Sequence, residues 1–333
     1  MKMLVTGGAG YIGSFMTRLL LDREYEVVVL DNLERGDKAR IDPRAEFIKG
    51  DIRDQAFLKD FFKKYKFDAV LHFAGYIAVA ESELDPKRYY ENNVEGSKNL
   101  FTAAIESGTD KFIFSSSAAV YGNPETLPIP EDHPKNPTSN YGQNKLDVEK
   151  ILSTLRESHP EVDFVCLRYF NASGAALDGS NGEAHEPETH IIPLAIRAAL
   201  GGSDFKLYGT DYDTEDGTCV RDYIHVLDLV QAHILALDKL YYEPGEYYYN
   251  VGVGQGYTNK QVIDMVKKVS GKEFKVIEEP RRSGDPDKLI ADPSRINNEL
   301  SFSPKYSDLQ SIVESAWKWH VRQLETQNSK LNE

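Results

Sequence analysis

The stretch from Lys2 to Asp31 constrains the fold more than any other. A short apolar run, Met3-Leu4-Val5, leads into Thr6-Gly7-Gly8-Ala9-Gly10-Tyr11-Ile12-Gly13. An apolar helical segment follows from Ser14 to Leu21, then a β-branched run, Val27-Val28-Val29-Leu30, ending at Asp31. Strand, glycine turn, helix, strand is the order of a dinucleotide-binding βαβ unit. Gly7 allows the tight turn off the strand, Gly10 lets the backbone approach a pyrophosphate, and Gly13 lets the helix pack close. The helix N-terminus offers free N–H groups and the positive end of a dipole to phosphates. Asp31 is placed to accept hydrogen bonds from a ribose diol, and its charge would repel a 2′-phosphate. The expected cofactor is therefore NAD rather than NADP. Three glycines alone would fit a flexible turn; the flanking strands and Asp31 argue against that.

Composition limits the partners. The 333 residues carry a formal charge of −14, with 41% hydrophobic and 28% charged residues, enough for one large or two moderate cores. Such an acidic chain is a poor match for nucleic acid or an anionic membrane, and any anionic ligand needs locally gathered arginines. No apolar run approaches the ~20 residues of a membrane helix, and the chain opens on a strand without a secretory-type leader. Cys166 and Cys219, the two cysteines, lack metal-type spacing and read as packing residues. No residue set suggests a metal, and the compartment expected is reducing and cytoplasmic.

Strand and helix patterns alternate along the chain. Phe47–Ile52 reads as a third strand, with Asp51 and Ile52 at its carboxyl edge, where an adenine would lie. Asp54–Tyr65 has helical period. Asp68–Gly75 is a fourth strand ending in small residues, with His72 a structural histidine. A helix from Pro86 to Ser107 carries Asn92-Asn93, and Lys111–Ser117 is a fifth strand ending in hydroxyls. After a proline-rich loop a helix runs from Ser139 to about Arg156, and Val162–Phe170 is a sixth strand. Asn171 to Glu188 is glycine-rich, acidic and irregular, a natural border. Helices follow over Pro193–Leu200, Val226–Leu240, Thr258–Val269 and Leu309–Leu324, before a polar tail expected to fray. Lys206–Tyr208 and Tyr247–Val251 are strands, the second returning to the main sheet. The fold expected is α/β, a doubly wound, mostly parallel Rossmann sheet with a smaller α/β domain. Residues 1–171, with a returning segment of about 223–252, form the NAD-binding domain. Residues of about 172–222 and 253–333 form the substrate-binding domain.

Tyr141 and Lys145 lie four apart at a helix start, so they share a face. A free phenol ionises near ~10, and an ammonium plus a cationic nicotinamide would lower it toward a useful general base. Spacing alone would equally fit a surface pair. Ser117, at the carboxyl edge of the fifth strand, adds a hydroxyl able to share the same substrate oxygen. Ser115 and Ser116 read as strand-end residues near the nicotinamide.

Together TGGAGYIG, Asp31-Asn32, Gly50-Asp51-Ile52, HFAG, SSSAAVYG, Tyr141 with Lys145, and LRYFN resemble the extended short-chain dehydrogenase/reductase family. The segments Glu215–Val226 and Arg281-Arg282-Ser283-Gly284-Asp285 look like UDP-sugar-binding segments of its UDP-glucose 4-epimerase group, and the resemblance runs to about His320. It implies an NAD-dependent isomerase that interconverts UDP-galactose and UDP-glucose through a 4-keto intermediate, with NAD tightly bound. By position, Gly7, Gly10, Tyr11, Ile12 and Gly13 would meet the pyrophosphate, Asp31 and Asn32 the ribose, and Asp51 and Ile52 the adenine. Phe73, Ala74, Asn93, Ser115 and Tyr169 would line the cofactor, and Lys145 would bond the nicotinamide ribose while acidifying Tyr141. Asn171 would bind the sugar nucleotide, with Lys206 and Tyr208 near the uracil. Arg221, Arg282 and Asp285 would hold the diphosphate and uridine ribose, supplying the local cations that so acidic a chain requires. The helices Pro86–Ser107 and Tyr141–Arg156 look like the pair that relatives use in a dimeric four-helix bundle, implying a homodimer.

Four positions depart from the resemblance. Phe15 replaces a histidine, a packing change. Ile77 stands where some members carry a cofactor-contacting lysine. His190 replaces an asparagine that in some members contacts the diphosphate, so it joins the substrate-binding set with its role open. Leu289, intermediate in bulk, sits where side-chain size bears on N-acetylated sugars. The alternatives are a 4-epimerase of UDP-N-acetylhexosamine or UDP-arabinose, a sugar-nucleotide 4,6-dehydratase, or a non-enzymatic NAD-sensing protein. The dehydratase needs carboxylates where Ser117-Ala118-Ala119-Val120 stands, and the binding protein has no use for Tyr141 and Lys145.

Overall fold

The computed structural model describes residues 1–282 and 285–331, without the side chains of 328, 330 and 331. Ser283 and Gly284 of the Arg281–Asp285 segment therefore lie outside the described residues. Strand β1 (Lys2–Thr6) leads through helix α1 (Tyr11–Asp22) to β2 (Glu26–Asp31) and β3 (Glu46–Lys49). Helix α2 (Gln55–Lys64) starts where the Asp54 carboxylate accepts from Phe57 N, and β4 (Ala69–His72) follows. Next come α3 (Val79–Leu84), α4 (Pro86–Tyr90) and α5 (Gly96–Glu106), the last two joined by a π-helical turn at Glu91–Glu95. Then come β5 (Lys111–Ser117), α6 (Asn140–Ser158) and β6 (Asp163–Tyr169). The remainder holds β7 (Asn171–Ser173), α7 (Ile191–Ala199), β8 (Phe205–Tyr208), β9 (Val220–His225), α8 (Val226–Tyr242) and β10 (Glu246–Val251). It ends with β11 (Gly256–Thr258), α9 (Asn259–Ser270), β12 (Val276–Glu279), β13 (Lys288–Leu289), α10 (Ser294–Leu300) and α11 (Leu309–Leu331).

Seven strands form one sheet in the order β10-β6-β5-β4-β1-β2-β3, every pair parallel. Period-two side chains divide between two cores. Met3, Val5, Val27, Val29 and Leu71 face one, while Leu4, Val28, Leu30 and Val70 face the other. A sheet apolar on both faces must be covered on both, and helices do so here. Strand order reverses at β1, between β2 and β4, which opens a crevice at the carboxyl ends of the strands.

The second region has its own sheet, in which β9 pairs with β7, β11 and β13, and a β8–β12 ribbon. Helices α7, α9 and α11 close a third core around Ile192, Ile196, Val262, Val266, Ile312 and Val313. Thr258 caps α9 through a capping box with Gln261.

The sequence reading differs in a few places. The helix from Pro86 is continuous, but its π turn lets Asn92 and Asn93 both be buried. Helices α3 and α10 and strands β7, β9, β11, β12 and β13 were not foreseen, and Tyr223–His225 joins the small sheet while α8 and β10 join the large one. The last helix does not stop at Leu324 but reaches Leu331. No helix among the described residues is long and apolar enough to cross a membrane.

Candidate active site

The glycine turn after β1 is closed by sterics. Gly7 has φ +72°, and a Cβ there would lie 2.6 Å from Ala74 N. A Cβ on Gly13 would lie 2.2 Å from the Gly7 carbonyl oxygen, so Gly13 packs against the turn itself. Gly10 faces open space apart from that oxygen, and no side chain caps α1. Its first N–H groups are thus available to phosphate oxygens. The Tyr11 hydroxyl donates to Gly174 O (2.6 Å), so only its backbone faces the turn. Phe15 meets Tyr11 edge-on within the core, as a packing residue.

Asp31 accepts from Ala9 N (3.0 Å) and Leu33 N (2.8 Å). Burial raises its pKa, and these two N–H groups oppose the rise. Asn32 donates to Asp51 (3.1 Å), which Arg53 holds down at about 2. Ile52 is buried, and it packs against α5 at Gly96. Phe73 lies 4.9 Å from the His233 ring, and Ala74 abuts the Gly7 turn. Asn93 accepts from Tyr76 N (2.8 Å) and donates to Tyr76 O (2.9 Å), fixing the loop after β4. His72 is structural, held between Thr6 and Ser97 (2.7 Å each) and pushed down to about 3 mainly by burial. Ile77 is exposed.

The Ser139 hydroxyl accepts from Gly142 N and starts α6, placing Tyr141 and Lys145 on adjacent turns. Lys145 Nζ donates to Ser115 O (2.6 Å) and stands 5.8 Å from the Tyr141 ring centre. Burial brings its pKa down to about 8, with Glu149 and Cys166 working against the fall. Tyr141 departs from expectation: burial raises the phenol pKa, and the hydrogen bond with Ser117 only partly offsets it. Ser117 Oγ also accepts from Ala119 N (3.2 Å). Ser116 is a correction, because strand alternation turns it away to donate to buried Glu149 (2.6 Å). That carboxylate is gripped by Arg168 at 2.9 and 2.8 Å. Tyr169 is buried, and its hydroxyl donates to His233 Nε2, whose Nδ1 donates to Leu229 O.

Across the crevice lies a cavity lined by Asn171, His190, Arg221, Arg282 and Asp285. Asn171 donates to Asp222 O (2.8 Å), and Arg221 pairs with Asp285 (2.6 Å). The Arg282 guanidinium lies 4.1 Å over the Tyr208 ring, tying that tyrosine to the cavity edge. Lys206 is not brought in; it is exposed, pairs with Glu279 (3.2 Å) and does not line the cavity. His190 precedes α7 with Nδ1 2.8 Å from Glu188 Oε1. Burial opposes its charge, but Glu183 and Glu188 outweigh it and lift the imidazole to about 9. Leu289, on β13 beside Arg221, packs near Ala118, Ile129 and Phe170. Sequence reasoning missed Glu183, Cys219, Asn259, Trp319 and His320, which also line this cavity. Trp319 and His320 arrive on the last helix, where the sequence shows only amphipathic spacing.

A Tyr–Lys–Ser group on the carboxyl edge of a doubly wound sheet, between a phosphate-ready turn and an arginine-bearing cavity, defines a class of nucleotide-sugar enzymes. The model of the NAD dependent epimerase/dehydratase family matches residues 3–252, and the chain belongs to that family. It is 45% identical to a UDP-glucose 4-epimerase of Lacticaseibacillus casei and 44% to one of Lactobacillus helveticus, each alignment covering 96% of this chain and 97% of the relative. Among solved structures, UDP-glucose 4-epimerase from Brucella ovis in complex with NAD is 44% identical. It superposes with a TM-score of 0.91 over 95% of this chain and 97% of that one. The enzyme from Bifidobacterium longum in complex with NAD+ and UDP gives a TM-score of 0.92 at 36% identity, covering 97% and 99%.

Proposed function

We propose that this chain interconverts UDP-glucose and UDP-galactose by inverting the sugar at C4. The observation that carries this is Tyr141, Ser117 and Lys145 converging at the crevice beside a cavity that gathers Arg221 and Arg282. The chain fits NAD, because Gly10 leaves the turn open, α1 is uncapped and Asp31 is pre-oriented by two N–H groups. NAD bound there supplies reversible two-electron oxidation at the sugar and, when oxidised, a positive ring charge.

The protein's part is to move one proton and hold one end of the substrate. Tyr141 takes the proton of the sugar 4-hydroxyl and later returns it, while Ser117 holds the same oxygen. Lys145, fixed by Ser115 O, supplies positive charge against the burial that keeps the phenol protonated. Gly7, Gly10, Tyr11, Ile12 and Gly13 serve the pyrophosphate, Asp31 and Asn32 the ribose, and Asp51 and Ile52 the adenine. Arg221 and Arg282 clamp the diphosphate, Asp285 the uridine ribose and Tyr208 the uracil, while Asn171 binds the sugar nucleotide and His190 lies in the same cavity. Binding energy concentrated on UDP leaves the sugar free to turn over between the two half-reactions, which inversion requires.

The same reading divides the chain into an NAD-binding part, 1–171 with about 223–252, and a UDP-sugar-binding part, about 172–222 and 253–333. The exposed Val79 and Leu84 on α3 and Tyr90 on α4, beside α6, support a homodimer. Two free cysteines fit a cytoplasmic enzyme of galactose metabolism. The deciding experiment incubates the purified protein with UDP-galactose and no added NAD, then assays UDP-glucose. Absence of product, with no dinucleotide released on denaturation, overturns the reading. UDP-N-acetylgalactosamine and UDP-arabinose in parallel define what Leu289 admits.

A further inference from the structure

The loop between β7 and α7 brings His190 together with two residues, Glu183 and His185, that the proposed reaction does not use. One donor atom from each of Glu183, His185 and His190 lies within 4.8 Å of the other two. His185 Nδ1 bonds Glu183 Oε1, and His190 Nδ1 stands 3.6 Å from that same oxygen. The carboxylate is buried, while the two imidazoles are 25% and 41% exposed. Read along the chain, the three have no familiar metal spacing; the fold of the loop is what joins them.

A second observation points the same way. Glu188 has a fully buried side chain, and its Oε1 accepts from Thr189 N (2.7 Å), His190 N (2.8 Å) and His190 Nδ1 (2.8 Å). Its other oxygen, Oε2, is buried with no hydrogen-bond partner. His320, on the wall of the cavity that Glu183 and His190 also line, likewise has a buried, unpartnered Nε2. Orphaned polar atoms of this kind are uncommon, and one of these belongs to the carboxylate that holds His190.

Two imidazoles and one carboxylate form the donor set of zinc sites that keep a fourth position open. Imidazole favours borderline transition metals over Mg2+, which prefers oxygen ligands in octahedral array. We propose that Glu183, His185 and His190 bind one divalent transition metal of the Zn2+ class, with its open position turned toward the arginine-bearing cavity. Binding displaces protons from the imidazoles and leaves no redox step to balance. Because His190 lines that cavity, metal occupancy changes how the cavity receives a diphosphate.

The test uses the intact protein, treated with chelator and dialysed. Titration with Co2+ is expected to give the visible band of a tetrahedral site at one equivalent. Zn2+ should displace it, and Mg2+ should not. His185→Ala should weaken Co2+ binding at least tenfold while leaving metal-free turnover intact, since His185 has no part in the proposed reaction. In the wild type, added Zn2+ should shift the UDP-sugar KM, and in His185→Ala it should not. No Co2+ band, or equal Co2+ affinity in the variant, overturns the site; an unchanged KM with metal bound overturns the placement of its open position. The Co2+ titration needs no turnover, so it stands or falls independently of the proposed activity.

Discussion

Tyr141 and Ser117 carry the sharpest expectations at the scale of single residues. Tyr141→Phe should retain bound NAD yet lose epimerisation by roughly 10²–10⁴-fold, the range of a lost general base. Turnover within a few-fold of wild type would remove Tyr141 from that role. Ser117→Ala removes one hydrogen bond to a charged or charging oxygen, about 1.5–3 kcal/mol, so kcat should fall roughly tenfold to a hundredfold with UDP affinity kept. Asp31→Asn keeps the size but removes the charge facing the ribose, and should narrow the preference for NAD over NADP in binding titrations. Much at this scale could be read from the sequence: His72 as a structural histidine, Tyr141 and Lys145 on one face, Thr258 as a cap. The rest depended on phase and distance. Ser116 differs from its neighbours only by the alternation of β5, and Lys206 faces Glu279 because β12 pairs with β8. Nor does spacing disclose that burial outweighs the Ser117 hydrogen bond at the Tyr141 phenol.

Helix starts and turns supply tests at the scale of elements. Gly13→Ala would drive a methyl into the Gly7 carbonyl at 2.2 Å. The shift should cost about 1–3 kcal/mol of stability and release dinucleotide, seen as loss of bound NAD on gel filtration. Thr258→Ala breaks the capping box of α9 without touching Tyr141, Ser117 or Lys145. Its urea midpoint should fall by the equivalent of about 1 kcal/mol with turnover unchanged. The strongly periodic elements were legible because apolar spacing decides them. Strand β9 was not, because Val220–His225 mixes charged residues into a segment whose chemistry drew attention first. The π turn at Glu91–Glu95 leaves no mark in composition, since one extra residue in a helical turn changes geometry and not residue type.

Acid should unfold the whole molecule earlier than its charge alone implies. Burial pushes His72 down to about 3 and His225 and His233 to about 4, against an unfolded value near ~6.5. For a histidine depressed on folding, the unfolded chain binds more protons between the two values, so stability is complete above ~6.5 and is lost as pH falls below it. Each contributes about 1.4 kcal/mol per pH unit. Asp222, raised to about 6 by burial, works the opposite way below that value and cancels roughly one of the three. Urea midpoints should therefore drop steeply between pH ~6.5 and ~5, and a flat profile would contradict neutral burial of these rings.

Hydrogen bonds join the N-terminal βαβ segment to the loop after β7. Tyr11 reaches Gly174 O, Asn181 donates to Ser14 Oγ (2.9 Å), and Arg35 donates to Glu186 O (3.3 Å). A dinucleotide lodged beneath such stitches would have to wait for them to part. Its electrons would then circulate privately, lent to one sugar and recovered from it, without sampling the cell's pool of reduced and oxidised carriers. The enzyme would thus keep its pace whether its surroundings were starved or flooded with reducing power.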